Sequence, residues 1–173
     1  MHGQFAPIFG MLTGDYNNDG HLDVLITGNS YSTEISTGNY DAMTGLLLTG
    51  DGKGNFIPVN ANATGFRADG DCKGIAELSM ADNSSIVLVA NNSGNMESYQ
   101  YINRGIASVK MNKNDMYAII HKKDGTEYKQ EFYWGNSYLS NSSKTINYNS
   151  SFVSSVTVYD NKGNKKEIIS NAK

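Results

Sequence analysis

Two prolines and one cysteine are all that the 173 residues contain of either, and each scarcity excludes something. A lone Cys72 forms no disulfide within the chain and supports no cysteine-rich zinc site. No apolar run approaches the roughly 20 residues of a membrane helix, so the chain contains no helical membrane span. Basic side chains are also scarce: 14 Lys and Arg stand against 17 Asp and Glu. The net charge of −3 argues against nucleic acid as a partner, because its binders are normally basic. The opening Met1-His2-Gly3-Gln4-Phe5 lacks the basic and apolar regions of a secretory leader. Helical periodicity is nearly absent as well.

What the chain has in quantity is Asn, 21 residues, and Gly, 18. These residues adopt positive φ most readily, so tight turns are expected throughout. Between the turns lie short β-branched and aliphatic runs: Asp23 to Thr27, Gly45 to Thr49 and Ser85 to Ala90. Each is bounded by Gly, Asn, Asp or Ser, as buried strands are. Further runs follow at Ile106 to Met111, Tyr117 to His121, Glu127 to Trp134 and Phe152 to Tyr159. Lys123-Asp124-Gly125-Thr126 and Asp160-Asn161-Lys162-Gly163-Asn164 sit between runs and read as hairpin turns. The expected fold class is all-β.

Charge is unevenly spread. Up to Arg104 there are 11 acidic and 4 basic residues; from Gly105 onward there are 6 and 10. The reversal predicts two domains, 1–104 and 105–173.

One motif carries chemistry. In Gly14-Asp15-Tyr16-Asn17-Asn18-Asp19-Gly20-His21-Leu22-Asp23, oxygen-bearing side chains occupy relative positions 1, 3, 5 and 9. Gly20 stands at position 6 and His21 offers a main-chain carbonyl at position 7. This spacing wraps a chain around Ca²⁺, which takes six to eight hard oxygens; Mg²⁺ demands a stricter octahedron. The candidate metal residues are therefore Asp15, Asn17, Asp19, His21 and Asp23. The loop differs from an EF-hand: position 12 is Ile26 rather than Glu, and a strand follows. The competing reading is an Asx-rich turn without metal, in which three carboxylates within nine residues repel one another.

Taken with Phe9-Gly10 before it, Val24 to Gly28 after it, and Gly50-Asp51-Gly52-Lys53-Gly54-Asn55-Phe56, this motif resembles the FG-GAP/VCBS repeat. That repeat is a blade of the integrin-α type of β-propeller. The resemblance implies Ca²⁺ on Asp15, Asn17, Asp19, the His21 carbonyl and Asp23, and a return hairpin at Gly52 to Phe56. A second repeat reads Gly70-Asp71-Cys72-Lys73-Gly74-Ile75-Ala76-Glu77-Leu78, where Lys73 and Gly74 replace two ligand positions. No calcium is expected there, and Lys73 would supply a fixed positive charge instead. Farther on, Gly135-Asn136-Ser137-Tyr138-Leu139-Ser140, Ser142-Ser143 and Tyr159 to Gly163 resemble the ASPIC/UnbV domain, a small β-domain that follows such repeats in secreted bacterial proteins. The resemblance thus implies about two blades over 1–104 and a small sandwich or barrel-like domain over 105–173. Since a propeller uses four to eight blades, it also implies a longer parent protein or self-association.

Other candidates are weaker. Glu127 and Glu131 share a strand face, as a glycosidase pair would, but Lys129 lies between them in an ordinary solvated alternation. His121 has no nucleophile motif beside it, and no Gly-x-Ser-x-Gly elbow is present. Tyr133, Trp134 and Tyr138 are the candidate ligand-binding aromatics, with Trp134 beside Gly135 expected to be exposed. The leading expectation is a non-enzymatic, Ca²⁺-stabilised module, secreted or at the cell surface, that binds protein or carbohydrate. The alternative is a polysaccharide-active enzyme or its accessory carbohydrate-binding domain.

Overall fold

The computed structural model describes residues 2–82, 84–101, 106–133, 135 and 138–169. Among them are thirteen strands, every pairing antiparallel, against one 3-10 turn and one four-residue helix. The chain is all-β. It divides into two units, Met1–Ile102 with Gly135–Ser143, and Asn103–Trp134 with Lys144–Lys173. The boundary expected near Arg104 and Gly105 lies outside the described residues. Residues 135–143, expected in the second domain, belong to the first unit.

The first unit opens with a meander of β1 (Ile8–Gly14), β2 (Asp23–Gly28), β3 (Leu46–Gly50) and β4 (Phe56–Val59), paired in chain order. Alternation sends Leu12, Leu25, Leu47 and Val59, which are cross-strand partners, to one face. A second meander follows: β5 (Cys72–Ser79), β6 (Ser85–Asn91) and β7 (Glu97–Tyr101). Its Cys72, Ile75, Val87 and Val89 join Leu12, Leu25 and Leu47 in one core, with Phe66 and Ala68 from the connection. Full burial of each large aliphatic here is worth about 1.5–3 kcal/mol. The two sheets approach so closely at Gly10 that a Cβ there would lie 2.6 Å from both Ile75 Cγ2 and Thr27 Oγ1. Any side chain at Gly10 would wedge them apart. The opposite face of the first sheet carries a smaller cluster of Ile26, Met43 and Leu46.

Residues 140–143 return to the outer edge of β5. The Ser143 N–H donates to the Glu77 carbonyl at 2.8 Å, while Ser142 Oγ and Ser143 Oγ accept from the N–H groups of Glu77 and Ser79. The segment covers that edge with a main-chain bond and with serine hydroxyls that accept from strand N–H groups.

In the second unit, β8 (Ile106–Lys110) pairs with β11 (Thr145–Asn149), and a four-stranded sheet runs β10 (Glu127–Glu131), β9 (Asp115–Lys122), β12 (Val153–Asp160), β13 (Lys165–Ile169). Met111, Ala118, Ile120, Ile146, Tyr148, Val153, Val156 and Val158 form its core. The hairpin Asp160 to Asn164 repeats the side-chain bonding of Asp51 to Asn55 in the first unit. In each, one Asp oxygen accepts from the N–H groups two and four residues on, and the other accepts the Asn amide. In both, the Asn amide bond leads in holding the aspartate below the usual carboxylate range.

Candidate metal loop

The loop between β1 and β2 is folded by its own carboxylates. Asp15 accepts from the N–H of Asp19 at 3.0 Å and of Gly20 at 2.9 Å. Asn17 Oδ1 accepts from Asp19 N–H at 3.0 Å, and Asp19 Oδ1 from His21 N–H at 2.8 Å. The chain reverses through positive φ at Asn18 and Gly20, 66° and 85°. Asn tolerates this conformation and Gly adopts it freely, which accounts for the Asn-Asp-Gly string.

Asp23 closes the loop. It is fully buried at the first position of β2. Its Oδ2 accepts from the N–H groups of Tyr16 and Asn17, at 2.9 and 3.2 Å, and its Oδ1 from Gly50 N–H at 2.9 Å. One carboxylate therefore clamps the start of the loop to the end of β3, where the Asp51 hairpin begins. The His21 ring lies against Gly52 of that hairpin, so close that a Cβ on Gly52 would fall 2.4 Å from its Nδ1. Tyr16 carries the loop inward: its ring meets Tyr101 of β7 edge-on at 5.3 Å, and its buried hydroxyl has no hydrogen-bond partner among the described residues.

The electrostatics of the loop are unbalanced. Burial raises the pKa of Asp15 above the usual carboxylate range; the N–H bonds from Gly20 and Asp19 oppose this, and the charges of Asp19 and Asp23 add to it. Among the described residues, no Lys or Arg ion pair reaches Asp15, Asp19 or Asp23. Nor, among those residues, does any group of three or more His, Cys, Asp or Glu side chains stand ready to hold a metal ion. The donors themselves, three carboxylates, an amide oxygen and a carbonyl, are all hard oxygens and fit a Ca²⁺ ion chemically. Each ionised oxygen that accepts one N–H retains a further lone pair. Asp19 and Asn17 are exposed, and the Asn17 amide donates to Asp19 Oδ2 at 2.8 Å.

At the start of the second sheet the same kind of position is filled differently. Asp71, 3% exposed, receives Lys73 Nζ at 2.7 Å on Oδ1 and Asn92 Nδ2 at 2.9 Å on Oδ2. Burial works against its charge, but the bonds from Lys73 and Asn92, with the lysine's charge, outweigh it and lower its pKa. Lys73 also donates to the Asn29 carbonyl at 2.9 Å and stands 3.9 Å above the Phe9 ring. Asn29 was not legible from the sequence as a structural node. It is fully buried, and its amide donates to the carbonyls of Met43, Asp69 and Gly70 and accepts from Met43 N–H. Its only sequence signal was an Asn just after a strand, at the positive φ of 80° that Asn tolerates.

The remaining candidates disperse. Tyr133, 59% exposed, belongs to the second unit and Tyr138, 56% exposed, to the first; Trp134 lies outside the described residues. Tyr138 leans on Phe9, ring centres 5.8 Å apart. Glu127 lies 3.1 Å from His121 Nδ1 and Glu131 pairs with Lys129, so both carboxylates are engaged at the surface. His121 Nε2 meets Thr157 Oγ1 at 3.1 Å. Cys72 is fully buried, which pushes its thiol up to about 11, with the Glu97 charge adding to the effect. It is therefore a poor nucleophile at neutral pH.

No protein-family model matches the chain, and no curated protein resembles it significantly.

Proposed function

We propose that this chain is a non-catalytic β-module, stabilised by Ca²⁺ at the loop 15–23, that serves protein or carbohydrate binding outside the cell. The observation that carries the reading is the loop's charge: three carboxylates within nine residues, one of them fully buried, without a Lys or Arg partner among the described residues. Asp15, Asn17, Asp19, the His21 carbonyl and Asp23 would hold the ion. When bound, Ca²⁺ supplies the positive charge that these side chains lack. The chain's own contribution is the frame: Asp23 ties the loop to β3 and Tyr16 ties it to β7. The extracellular setting and the binding role follow from the resemblance of the loop and its hairpin to an FG-GAP/VCBS blade.

Thermal unfolding in EDTA, then in millimolar Ca²⁺ or Mg²⁺, tests the reading. The expected result is a rise of several degrees with Ca²⁺, a much smaller one with Mg²⁺, and no Ca²⁺ response in Asp19→Ala. Asp19 is exposed, so its removal leaves the fold in place. A Ca²⁺ response that persists in Asp19→Ala, or none in the unaltered chain, would remove the site.

A further inference from the structure

Among the described residues β5 is the outer strand of its sheet, with β6 on its other side. Its edge is met by residues 138–143. A Cβ on Gly74 would lie 2.7 Å from Ser140 Oγ, and farther along the strand Ser142 and Ser143 meet Glu77 and Ser79. The segment therefore runs parallel to β5, the direction in which strand pairing is slightly weaker. Ser143 N–H reaches the Glu77 carbonyl as a ladder bond would. The N–H groups of Glu77 and Ser79, at 2.9 and 3.2 Å, go instead to serine hydroxyls, which stand where the carbonyls of a paired strand would.

Little apolar area holds this segment down. Tyr138 touches Phe9 yet stays 56% exposed, and Leu139 is 83% exposed. Leu139 also holds φ at 48°, a left-handed conformation disfavoured for its side chain. On the strand itself, Ala76 and Leu78 alternate away from the core that takes Ile75. Their register partners are Leu88 and Ile86, so the outer face beside the edge is apolar, and it is partly open, with Leu78 37% exposed.

We propose that residues 138–143 are a displaceable strap, and that the β5 edge beneath it binds an extended peptide of a partner protein by antiparallel strand addition. Peptide carbonyls replace the serine hydroxyls on Glu77 and Ser79, and a peptide N–H replaces that of Ser143 on the Glu77 carbonyl. Apolar side chains at every second peptide position pack beside Ala76 and Leu78. A second copy pairing edge to edge would have to displace two straps, whereas a peptide displaces one. The inference names a partner class within the binding role proposed above and rests on that role, but it draws nothing from the calcium loop. A failed calcium response leaves it standing, and a failed peptide titration leaves the loop standing.

Titration of the ¹⁵N-labelled full chain with acetyl-(Thr-Val)₃-amide, in Ca²⁺ and again in EDTA, tests it by amide shifts. Saturable shifts are expected at Glu77 and Ser79. The (Thr-Ser)₃ peptide, which keeps the backbone but loses the apolar face, should bind several-fold more weakly, and (Thr-Pro)₃, which loses half its N–H groups, should not bind. Ser143→Pro removes both the N–H and the hydroxyl of the strap, so the edge is open more of the time and (Thr-Val)₃ should bind at least about tenfold tighter. Ser142→Ala/Ser143→Ala keeps the main-chain bond and should give a smaller gain; it carries the comparison if the proline variant does not fold. Absence of saturable shifts, equal binding of (Thr-Pro)₃, or no gain in a folded strap variant would overturn the proposal. So would dimerisation of the strap variants without peptide, which would make a second copy the occupant.

Discussion

Strand β2 opens with a buried aspartate, Asp23, and strand β5 directly follows another, Asp71, and the two are met by different means. At β2, Asp23 is held by three main-chain N–H groups, with Asp15 and Asp19 crowded nearby. At β5, Asp71 is held by the ammonium of Lys73, which also reaches the Asn29 carbonyl and the Phe9 ring. A lysine is a permanent part of the chain, so the second sheet carries its own counter-charge at all times. Beside Asp23 stand main-chain dipoles and, among the described residues, no Lys or Arg ion pair. The comparison teaches that a buried aspartate can be met either by main-chain N–H groups or by a lysine supplied from two residues along the chain.

Breaking either aspartate clamp should have the largest effect. Asp23→Ala orphans the buried N–H of Gly50 together with those of Tyr16 and Asn17, and bonds to a charged acceptor are worth about 1.5–3 kcal/mol each. A loss of roughly 3–4 kcal/mol is expected in urea unfolding. Lys73→Met leaves Asp71 buried and unpaired; removing one partner of such a pair costs about 3 kcal/mol. The double variant Lys73→Met/Asp71→Asn should recover most of that loss, and no recovery would mean that Lys73 acts mainly through Asn29 and Phe9.

The comparison sharpens with pH. Asp71 has a lowered pKa in the fold, so its contribution is complete above the ordinary value of 3.8 and is lost as pH falls through the folded value. Asp15 has a raised pKa, so its ionisation costs stability as pH climbs from 3.8 through the folded value. In EDTA, Asp71→Asn should flatten the acid limb of stability, whereas Asp15→Asn should raise stability at neutral pH. Calcium should abolish the second difference and leave the first. The smallest effect is expected on the opposite side of the argument: Glu127→Gln and Glu131→Gln, both in exposed polar contacts, should shift the melting temperature little.

Much of this was legible along the chain because it is local. Strands bounded by Gly, Asn and Asp, the hairpins at Asp51, Asp124 and Asp160, and the Asp15–Asp23 loop all follow from residues within a few positions of one another. The charge reversal pointed to two units. The place of residues 135–143 was not legible, because Ser142 and Ser143 meet Glu77 and Ser79 more than 60 positions away. Spacing likewise put Asp15, Asn17, Asp19 and Asp23 in one loop, but it could not reveal that their oxygens turn first to main-chain N–H groups.

The sequence by itself determined the element type and the chemistry on offer: alternation sets strand faces, Asn and Gly set turns, and clustered carboxylates set a hard-oxygen donor loop. Tertiary structure alone decided how each buried charge is met. Asp23 finds Gly50, Lys73 finds Asp71 and Asn29, and Gly10 admits Ile75, because two sheets close over a common core. Solvation explains the difference: turn and strand preferences act over a few bonds, whereas the cost of a buried charge exists only once distant strands have excluded water from it.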